Sequence, residues 1–315
     1  MINRTFDTAK KLWLIFLSEL IGNRVGYRLI GLVNRLTGRR LATVFMVYPA
    51  SSYYITAVTF ARYAKRANWQ PRFAGIYVPA PGRWGLIFAV SSLEQELISS
   101  ENAQRLQAIY ASLEQIRQLT GAAAVSLAGI LPGILQQRSL RNSVREREQT
   151  AAIVEMAIYT TLTEAGFDSH HPIILLGGAG YIGARVEKRL RQNCANPVIV
   201  IDSKNCDHHA QLAAQLENFR GQELLLVNIA RNNALELFLD QLWPQLVILN
   251  EVFPEAARST RAQLAKRGID YFHLAGIRGF AIPRFAGPYA NAIPCCGLAL
   301  ENAEQARDRL VIKKL

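Results

Sequence analysis

The sequence PIILLGGAGYIGARV, residues 172–186, joins a short apolar run to a glycine-rich turn and an amphipathic segment. The run Pro172–Leu176 is typical of a buried strand. Three glycines in the spacing G-x-G-x-x-G follow it: Gly178, Gly180 and Gly183. Apolar residues then recur every four positions, as on one face of a helix: Ile182, Val186 and Leu190. The stretch is therefore predicted to fold as a strand, a tight turn and a helix.

Each part of this pattern has a physical role in holding a dinucleotide. Gly178 permits the tight turn, Gly180 lets the backbone approach a pyrophosphate, and Gly183 allows the helix to pack closely on the strand. The N-terminus of the helix offers free N–H groups and a partial positive charge to the phosphates. Asp202 stands nineteen residues after Gly183, at the end of the next predicted strand, where its carboxylate can accept hydrogen bonds from ribose hydroxyls. We expect NAD or NADP as cofactor, with NAD preferred because Asp202 would repel a 2′-phosphate.

The rest of the second half alternates apolar runs with helical patterns. Strands are predicted at residues 173–176, 198–201, 223–227, 246–249 and 271–274, with a helix after each of the first four. This alternation is typical of β-α-β units in a parallel sheet. The cofactor is then expected to touch the glycine turn and the loops after the next two strands: Gly178, Gly180, Tyr181, Ile182, Gly183, Asp202, Ser203, Asn228, Ile229 and Ala230.

The first half of the chain has its own pattern of helices and strands. Two amphipathic helices are predicted within residues 8–37, a strand at 42–48 and a helix at 51–67. Short strands around a turn follow at 76–90, then one or two helices at 93–119 and another helix at about 150–165. We predict an α/β protein of two domains. The N-terminal α/β domain spans residues 1–148, and a C-terminal Rossmann domain, a doubly wound parallel sheet, spans residues 149–315.

Composition and charge narrow the class of protein. The chain has 315 residues, of which 50% are hydrophobic and 19% are charged, which excludes a disordered chain. Of the net charge of +12, most comes from residues 1–72, where twelve Lys and Arg face only Asp7 and Glu19. Such a bias points to an acidic partner, and basic helices with Trp13 and Phe16 can lie on an anionic membrane surface. The alternative is a solvated basic face. We expect a cytoplasmic protein with no nucleic acid partner. The N-terminal helices either pack on the body of the protein or attach it to the surface of a membrane.

Catalytic groups are expected in loops at the carboxyl ends of the strands. Cys295 and Cys296 precede a predicted final helix, whose N-terminus would stabilise a thiolate that attacks a thioester or aldehyde carbon. The alternative is that both are buried and act as small hydrophobic side chains. His273, on the last predicted strand, is a candidate for proton transfer. Glu251, in the loop after residues 246–249, completes the candidate catalytic set. No metal-ligand spacing stands out.

The segment Gly177–Gly183 also looks like the opening of extended short-chain dehydrogenases and sugar-nucleotide epimerases. Their fingerprint lies at the start of the chain, whereas here about 170 residues precede it. Their catalytic Tyr-x-x-x-Lys is also absent downstream, since neither Tyr271 nor Tyr289 has a lysine four residues later. These two departures argue against that family.

The overall layout resembles the long-chain acyl-[acyl-carrier-protein] reductases and, more broadly, the shikimate dehydrogenase-like and glutamyl-tRNA reductase-like Rossmann group. The matching segments are Leu127–Leu135, Thr150–Ala165, Ile173–Val186, Leu246–Pro254 and Ile293–Leu300. The resemblance implies reduction of an acyl thioester to an aldehyde through an acyl-cysteine, with Cys295 aligned slightly better than Cys296. It implies NADPH as cofactor, whereas Asp202 favours NADH. The basic N-terminal half would suit an acidic carrier protein or a membrane holding acyl chains.

Two other functions fit the same residues. One is a dehydrogenase of a small amino or hydroxy acid, which would need the nucleotide and no covalent catalysis. The other is a non-enzymatic protein that binds a nucleotide and a membrane surface. Replacing both cysteines would abolish an acyl thioester reductase and leave a dehydrogenase of a small acid active. Nucleotide binding without turnover would indicate the non-enzymatic protein.

Overall fold

The computed structural model describes residues 2–49, 51–141, 144–202, 209–230, 234–285, 289–298 and 303–315. The chain divides into two compact units: residues 1–143 with 279–299, and residues 144–278 with 300–315. The predicted boundary at 148 therefore lies five residues inside the second unit. A larger difference is that residues 279–299, expected in the Rossmann domain, belong to the first unit.

The first unit contains seven α-helices and six strands among the described residues. The helices are α1 (Ile2–Ile21), α2 (Arg24–Leu36), α3 (Ser52–Val58), α4 (Ala61–Arg66), α5 (Glu94–Ile98), α6 (Ala103–Thr120) and α7 (Leu131–Gln137). The strands are β1 (Leu41–Val47), β2 (Arg72–Ala80), β3 (Arg83–Ala89), β4 (Ala124–Leu127), β10 (Phe280–Ile282) and β11 (Ala292–Ile293). The predicted helix 51–67 is thus two short helices, and β4 follows the helical stretch predicted at 93–119, where no strand was predicted.

The sheet of the first unit has the strand order β10-β2-β3-β1-β4. Strand β1 is parallel to β3 and β4, and β2 is antiparallel to β3 and to β10. Pairing of β10 with β2 explains why residues 279–299 belong to this unit. Strand β1 is buried from Leu41 to Met46, as a central strand must be when both faces of the sheet are covered.

Buried Asn34 ties the second helix to its neighbours. Its side-chain amide donates to the carbonyl oxygens of Thr120 and Gly121 at 3.2 and 2.9 Å, and its Oδ1 accepts from the amide of Leu41 at 2.9 Å. These bonds link α2 to the end of α6 and the start of β1. The same helix face contributes Tyr27 to the core of the unit.

The second unit consists of alternating helices and strands. They are α8 (Val144–Ala165), β5 (Ile173–Leu176), α9 (Gly183–Asn193), β6 (Val198–Ile201), α10 (His209–Glu217), β7 (Leu224–Asn228), α11 (Ala234–Leu237), β8 (Leu246–Asn250), α12 (Arg258–Lys266), β9 (Asp270–Arg278) and β12 (Leu310–Lys314). Strands β6, β5, β7, β8 and β9 are neighbours in that order and all parallel, while β12 is antiparallel to β9. The predicted α/β class with a Rossmann-like parallel sheet is confirmed.

Both faces of this parallel sheet are buried. Ile174, Leu226 and Ile248 pack in one cluster with side chains of α10, α11 and α12. Leu175, Val227 and Leu249 alternate with them along the strands and are also fully buried, so they face the opposite side. Continuous apolar strands are what a sheet covered on both faces requires.

The end of the chain differs from the sequence-based expectation. Cys295–Gly297 form one turn of 3-10 helix, and residues 303–309 form a second 3-10 helix that leads into β12. The α-helix expected after Cys296 is not found among the described residues. None of the described helices is long and apolar enough to cross a membrane.

Candidate functional site

The glycine turn connects β5 to α9 as the sequence predicts, but a different glycine makes the turn. Gly177 has φ +90°, and a Cβ at this position would lie 2.5 Å from the Cα of Ala230. Gly178, to which the tight turn was assigned, does not have a positive φ. A Cβ there would instead press against the side chains of Val200 and Leu175. The role therefore passes from Gly178 to Gly177, because only a glycine tolerates both the positive φ and the nearby backbone.

The next two glycines of the turn differ in what surrounds them. A Cβ on Gly183 would overlap the carbonyl oxygen of Gly177 and lie 2.8 Å from the Cα of Gly178. Gly183 thus lets the first turn of α9 pack on the glycine turn itself. A Cβ on Gly180 would have only Gly177 O within 4 Å, at 3.1 Å, among the described atoms. Gly180 therefore leaves an open space beside the backbone, which a pyrophosphate requires.

Asp202 directly follows β6 and lies against the glycine turn. Its side chain is buried, and its Oδ2 accepts a hydrogen bond from the amide of Ala179 at 2.9 Å. The structure thus brings the predicted acidic residue to the predicted turn. Ser203, also predicted to contact the cofactor, lies outside the described residues.

Tyr181 and Ile182 lead from the turn into α9. Both are half-buried, and the guanidinium of Arg147, on α8, lies 5.2 Å from the centre of the Tyr181 ring. Among the described residues, the buried Nε of Arg147 has no hydrogen-bond partner. No sequence signal singled out Arg147, because its position beside the turn depends on how α8 packs.

The strand order of the parallel sheet reverses at one point. The chain runs from β5 to β6 on one side and then to β7 on the other, so the reversal lies between β5 and β7. Ligands of open parallel sheets bind at such a switch point, outside the carboxyl ends of the strands. The residues expected there follow β7: half-buried Ile229, whose amide donates to Leu176 O at 2.9 Å, and exposed Ala230.

Three buried polar side chains form a hydrogen-bonded row across this edge. Asn228, Asn250 and His273 are in register on β7, β8 and β9. Asn228 Nδ2 donates to Asn250 Oδ1 at 2.7 Å, and Asn250 Nδ2 lies 3.1 Å from His273 Nδ1. At the other end, Asn228 Oδ1 accepts from the amide of Ala230 at 3.2 Å. We call Asn228, Asn250 and His273 the polar row. It fixes the loop after β7 beside the glycine turn.

His273 has no exposed surface. Burial first, and then the positive charges of Arg261 and Lys313, lower its pKa to about 3. The ring is therefore neutral at physiological pH, with Nδ1 facing the amide of Asn250 as an acceptor. This geometry favours a positioning role, and direct proton transfer by His273 stays a prediction.

Glu251 follows the polar row at the end of β8. Its amide donates to the carbonyl of Asn228 at 3.1 Å, and its side chain is half-buried. Burial raises the pKa of its carboxyl to about 7. A carboxyl with this pKa exchanges a proton near neutral pH, as a general acid or base must.

The two cysteines lie in the first unit, in the 3-10 turn Cys295–Gly297. Cys295 is buried and Cys296 is half-buried. Tyr77 fixes this turn by donating to Gly297 O at 2.6 Å. A turn of three residues lacks the dipole of a helix end, so the described residues do not supply the helix N-terminus that was expected to stabilise a thiolate. In the described part of the chain, no group of His, Cys, Asp and Glu side chains could hold a metal ion.

Residues 173–271 match the model of the NAD dependent epimerase/dehydratase family. The match spans β5 to the start of β9 and so covers the glycine turn, Asp202 and two members of the polar row. It shows that this segment is similar to the family that the sequence analysis set aside, although Tyr-x-x-x-Lys is still lacking at Tyr271 and Tyr289. No curated protein matches the chain significantly.

Several solved dehydrogenases are similar in structure. Shikimate 5-dehydrogenase from Listeria monocytogenes, solved with shikimate and NAD, is 11% identical over 74% of this chain and 86% of its own, with a TM-score of 0.35. The enzyme from Thermus thermophilus, solved with shikimate, is 16% identical over 73% and 85%, with a TM-score of 0.39. L-tryptophan dehydrogenase from Nostoc punctiforme is 14% identical over 73% and 68%, with a TM-score of 0.34. At values this low, these proteins say nothing about the substrate of this chain.

Proposed function

We propose that the second unit binds a nicotinamide dinucleotide and that the protein is an NAD(P)-dependent oxidoreductase. The observation that carries the proposal is the glycine turn at the switch point, with Asp202 hydrogen-bonded to it. The match of residues 173–271 to an NAD dependent family supports it.

The residues of the turn fit a dinucleotide. The open space at Gly180 and the N-terminus of the eleven-residue helix α9 would receive the pyrophosphate. Arg147 stands over Tyr181 beside this turn, where its guanidinium adds positive charge. Asp202 would hold the adenosine ribose, and its charge favours NAD over NADP.

The remaining residues of the carboxyl edge would serve the reaction itself. When bound, the nicotinamide ring supplies the transfer of a hydride to or from a substrate carbon. Interconversion of an alcohol and a carbonyl also moves one proton, and the Glu251 carboxyl, with a pKa of about 7, would exchange it. The polar row would hold the loop after β7, and through it the cofactor, in place.

The substrate class we favour is a small hydroxy or amino acid or a related carbonyl compound. An acyl thioester remains the second candidate, supported by the resemblance to acyl reductases. That chemistry requires a thiolate, and the 3-10 turn Cys295–Gly297 is too short to supply the helix N-terminus that would stabilise one. Replacing Cys295 and Cys296 by serine, singly and together, separates the two: full turnover in the double variant refutes an acyl-cysteine.

The first experiment is a fluorescence titration of the full chain with NADH and with NADPH. Gly180→Ala is expected to weaken binding at least about tenfold, because its Cβ enters the space for the pyrophosphate, with a small cost in stability from the 3.1 Å approach to Gly177 O. The matched control is Gly268→Ala. Gly268 has φ +73° and no described atom near its Cβ, so this variant loses about 1 kcal/mol of stability and keeps binding.

The choice of cofactor is tested in the same titration. Asp202→Asn is expected to shift the preference towards NADPH by about tenfold, since the repulsion of a 2′-phosphate is removed. Asp240→Asn, an exposed carboxylate of the same unit, serves as control and leaves the preference unchanged. If the folded wild-type protein binds neither nucleotide, the proposal is refuted and the Rossmann unit is a scaffold.

A further inference from the structure

Helix α1 presents an apolar stripe to solvent. Leu12, Trp13, Phe16 and Leu20 are 56, 59, 55 and 59% exposed. They recur at intervals of three and four residues and so share one face of the helix. The other face supplies Leu17 and Ile21 to the core of the first unit. Packing of α1 on its own unit therefore leaves this stripe uncovered.

Helix α2 repeats the arrangement. Its stripe consists of Val25, Leu29, Leu32 and Leu36, which are 67, 58, 46 and 78% exposed. Its opposite face contains the buried residues Tyr27, Gly31 and Asn34, held by the hydrogen bonds described above. The α2 stripe is thus fixed in an outward position by the polar contacts of Asn34.

These stripes are more than scattered surface leucines. Single exposed apolar residues are common on any protein, but contiguous patches mark a surface that contacts a protein or a membrane. Here two consecutive helices each turn a full apolar stripe away from the same core cluster. Trp13 and Phe16 stack with their ring centres 5.8 Å apart, which adds aromatic surface of the kind enriched at membrane–water interfaces.

Positive charge borders the α2 stripe. Arg24, Arg28 and Arg35 lie along one side of it. All three are exposed, and none is in an ion pair with an acidic side chain among the described residues. Since residues 1–72 hold twelve basic residues against two acidic ones, this end of the first unit attracts anions.

We propose that α1 and α2 dock the protein on the surface of an anionic lipid bilayer. The apolar stripes would enter the boundary between headgroups and acyl chains, and the three arginines of α2 would meet the lipid phosphates and carboxylates. The positive charge favours an anionic bilayer over a second copy of the chain, because two copies that met at these stripes would bring their rows of arginines together. The inference is independent of the proposed reaction.

The test is flotation of the full chain with vesicles of phosphatidylserine and phosphatidylcholine in a three-to-seven ratio, compared with phosphatidylcholine alone. We expect binding to the anionic vesicles, weakened by salt, and little binding to the neutral ones. The emission of Trp13 should shift to the blue on binding, and Trp13→Phe should abolish that shift. A shift that persists in Trp13→Phe would overturn the assignment of this face.

Matched variants separate the apolar and electrostatic parts. Leu12→Ser with Phe16→Ser should weaken binding by roughly tenfold for each side chain, whereas Leu237→Ser, an equally exposed leucine of the second unit, should not. Replacing Arg24, Arg28 and Arg35 by Gln should weaken binding by roughly fivefold per residue. Replacing the exposed Lys188, Arg258 and Lys266 by Gln removes the same charge and should leave binding unchanged.

Two results would overturn the proposal. One is that the wild-type chain fails to float with anionic vesicles at low salt. The other is that the chain is a dimer in solution which Leu12→Ser with Phe16→Ser converts to a monomer, with vesicle binding unaffected. In that case the stripes form an interface between two copies.

Discussion

His273→Asn should change the pH dependence of stability in a defined direction. The folded pKa of about 3 lies below the ordinary value of 6.5, so between these values the unfolded chain binds a proton that the folded chain does not. Stability from this residue is therefore fully present above pH 6.5 and is lost as the pH falls towards 3. Asparagine does not titrate, and its Oδ1 can replace Nδ1 as the acceptor for Asn250.

The magnitude follows from the two pKa values. Between pH 8 and pH 5 the wild-type second unit should lose about 2 kcal/mol more than the variant. Glu251 acts in the opposite direction, because its pKa of about 7 lies above its ordinary value and its contribution is lost as the pH rises. The contribution of Glu251 to the pH dependence is the same in the wild type and in His273→Asn, so it cancels when the two stabilities are subtracted.

The assay is urea unfolding at several pH values, followed by tryptophan emission. Trp243 is the one tryptophan in the second unit, and it is buried. With Trp13, Trp69 and Trp84 replaced by Phe, the signal reports this unit alone. His170→Asn, which removes an exposed histidine of the same unit, is the control. If the free energy of unfolding of His273→Asn varies with pH in the same way as that of the wild type, the conclusion that His273 is buried and neutral is refuted.

Three further predictions concern packing and can be measured by urea unfolding. Gly183→Ala should cost about 2 kcal/mol, because its Cβ meets backbone atoms of Gly178 that no side chain rotation relieves; an unchanged midpoint would contradict the close packing of α9. Asn34→Ala should cost about 3 kcal/mol, since it leaves the buried backbone groups of Thr120 and Leu41 without their hydrogen-bond partner, whereas the exposed helix cap Asn23→Ala should cost about 1 kcal/mol. Arg189→Met should cost about 3 kcal/mol, because it leaves the buried carboxylate of Glu155 without its ion pair at 2.6 Å; replacing both residues by Met should recover most of the loss.

Much of the candidate site could be predicted because its signals are local. The strand β5 matches its predicted bounds, and the helix after the turn follows from the spacing of Val186 and Leu190. The turn between them needs glycines whatever the rest of the chain does. Asp202 was predictable for the same reason, since it ends the next strand at a distance set by one helix and one strand.

The polar row was only half predictable. Asn228 and His273 were among the predicted site residues, and Asn250 ends β8 as Asn228 ends β7, so strand-end position was the available signal. Their joining into one hydrogen-bonded row depends on the register of three strands. Register is a property of pairing, and a shift of one residue would have turned these side chains to the other face.

The sequence by itself determined the elements that neighbouring residues specify: the two basic amphipathic helices, the strand–turn–helix at residues 173–193, and the alternation that makes a parallel sheet. The tertiary structure alone decided that Gly177 rather than Gly178 makes the turn, because Ala230 approaches it from another loop. It also placed Cys295 and Cys296 in the first unit, because β10 pairs with β2 about 200 residues earlier in the chain. Periodicity and turn chemistry act over a few residues, whereas contacts between distant segments depend on the free energy of the whole packed chain.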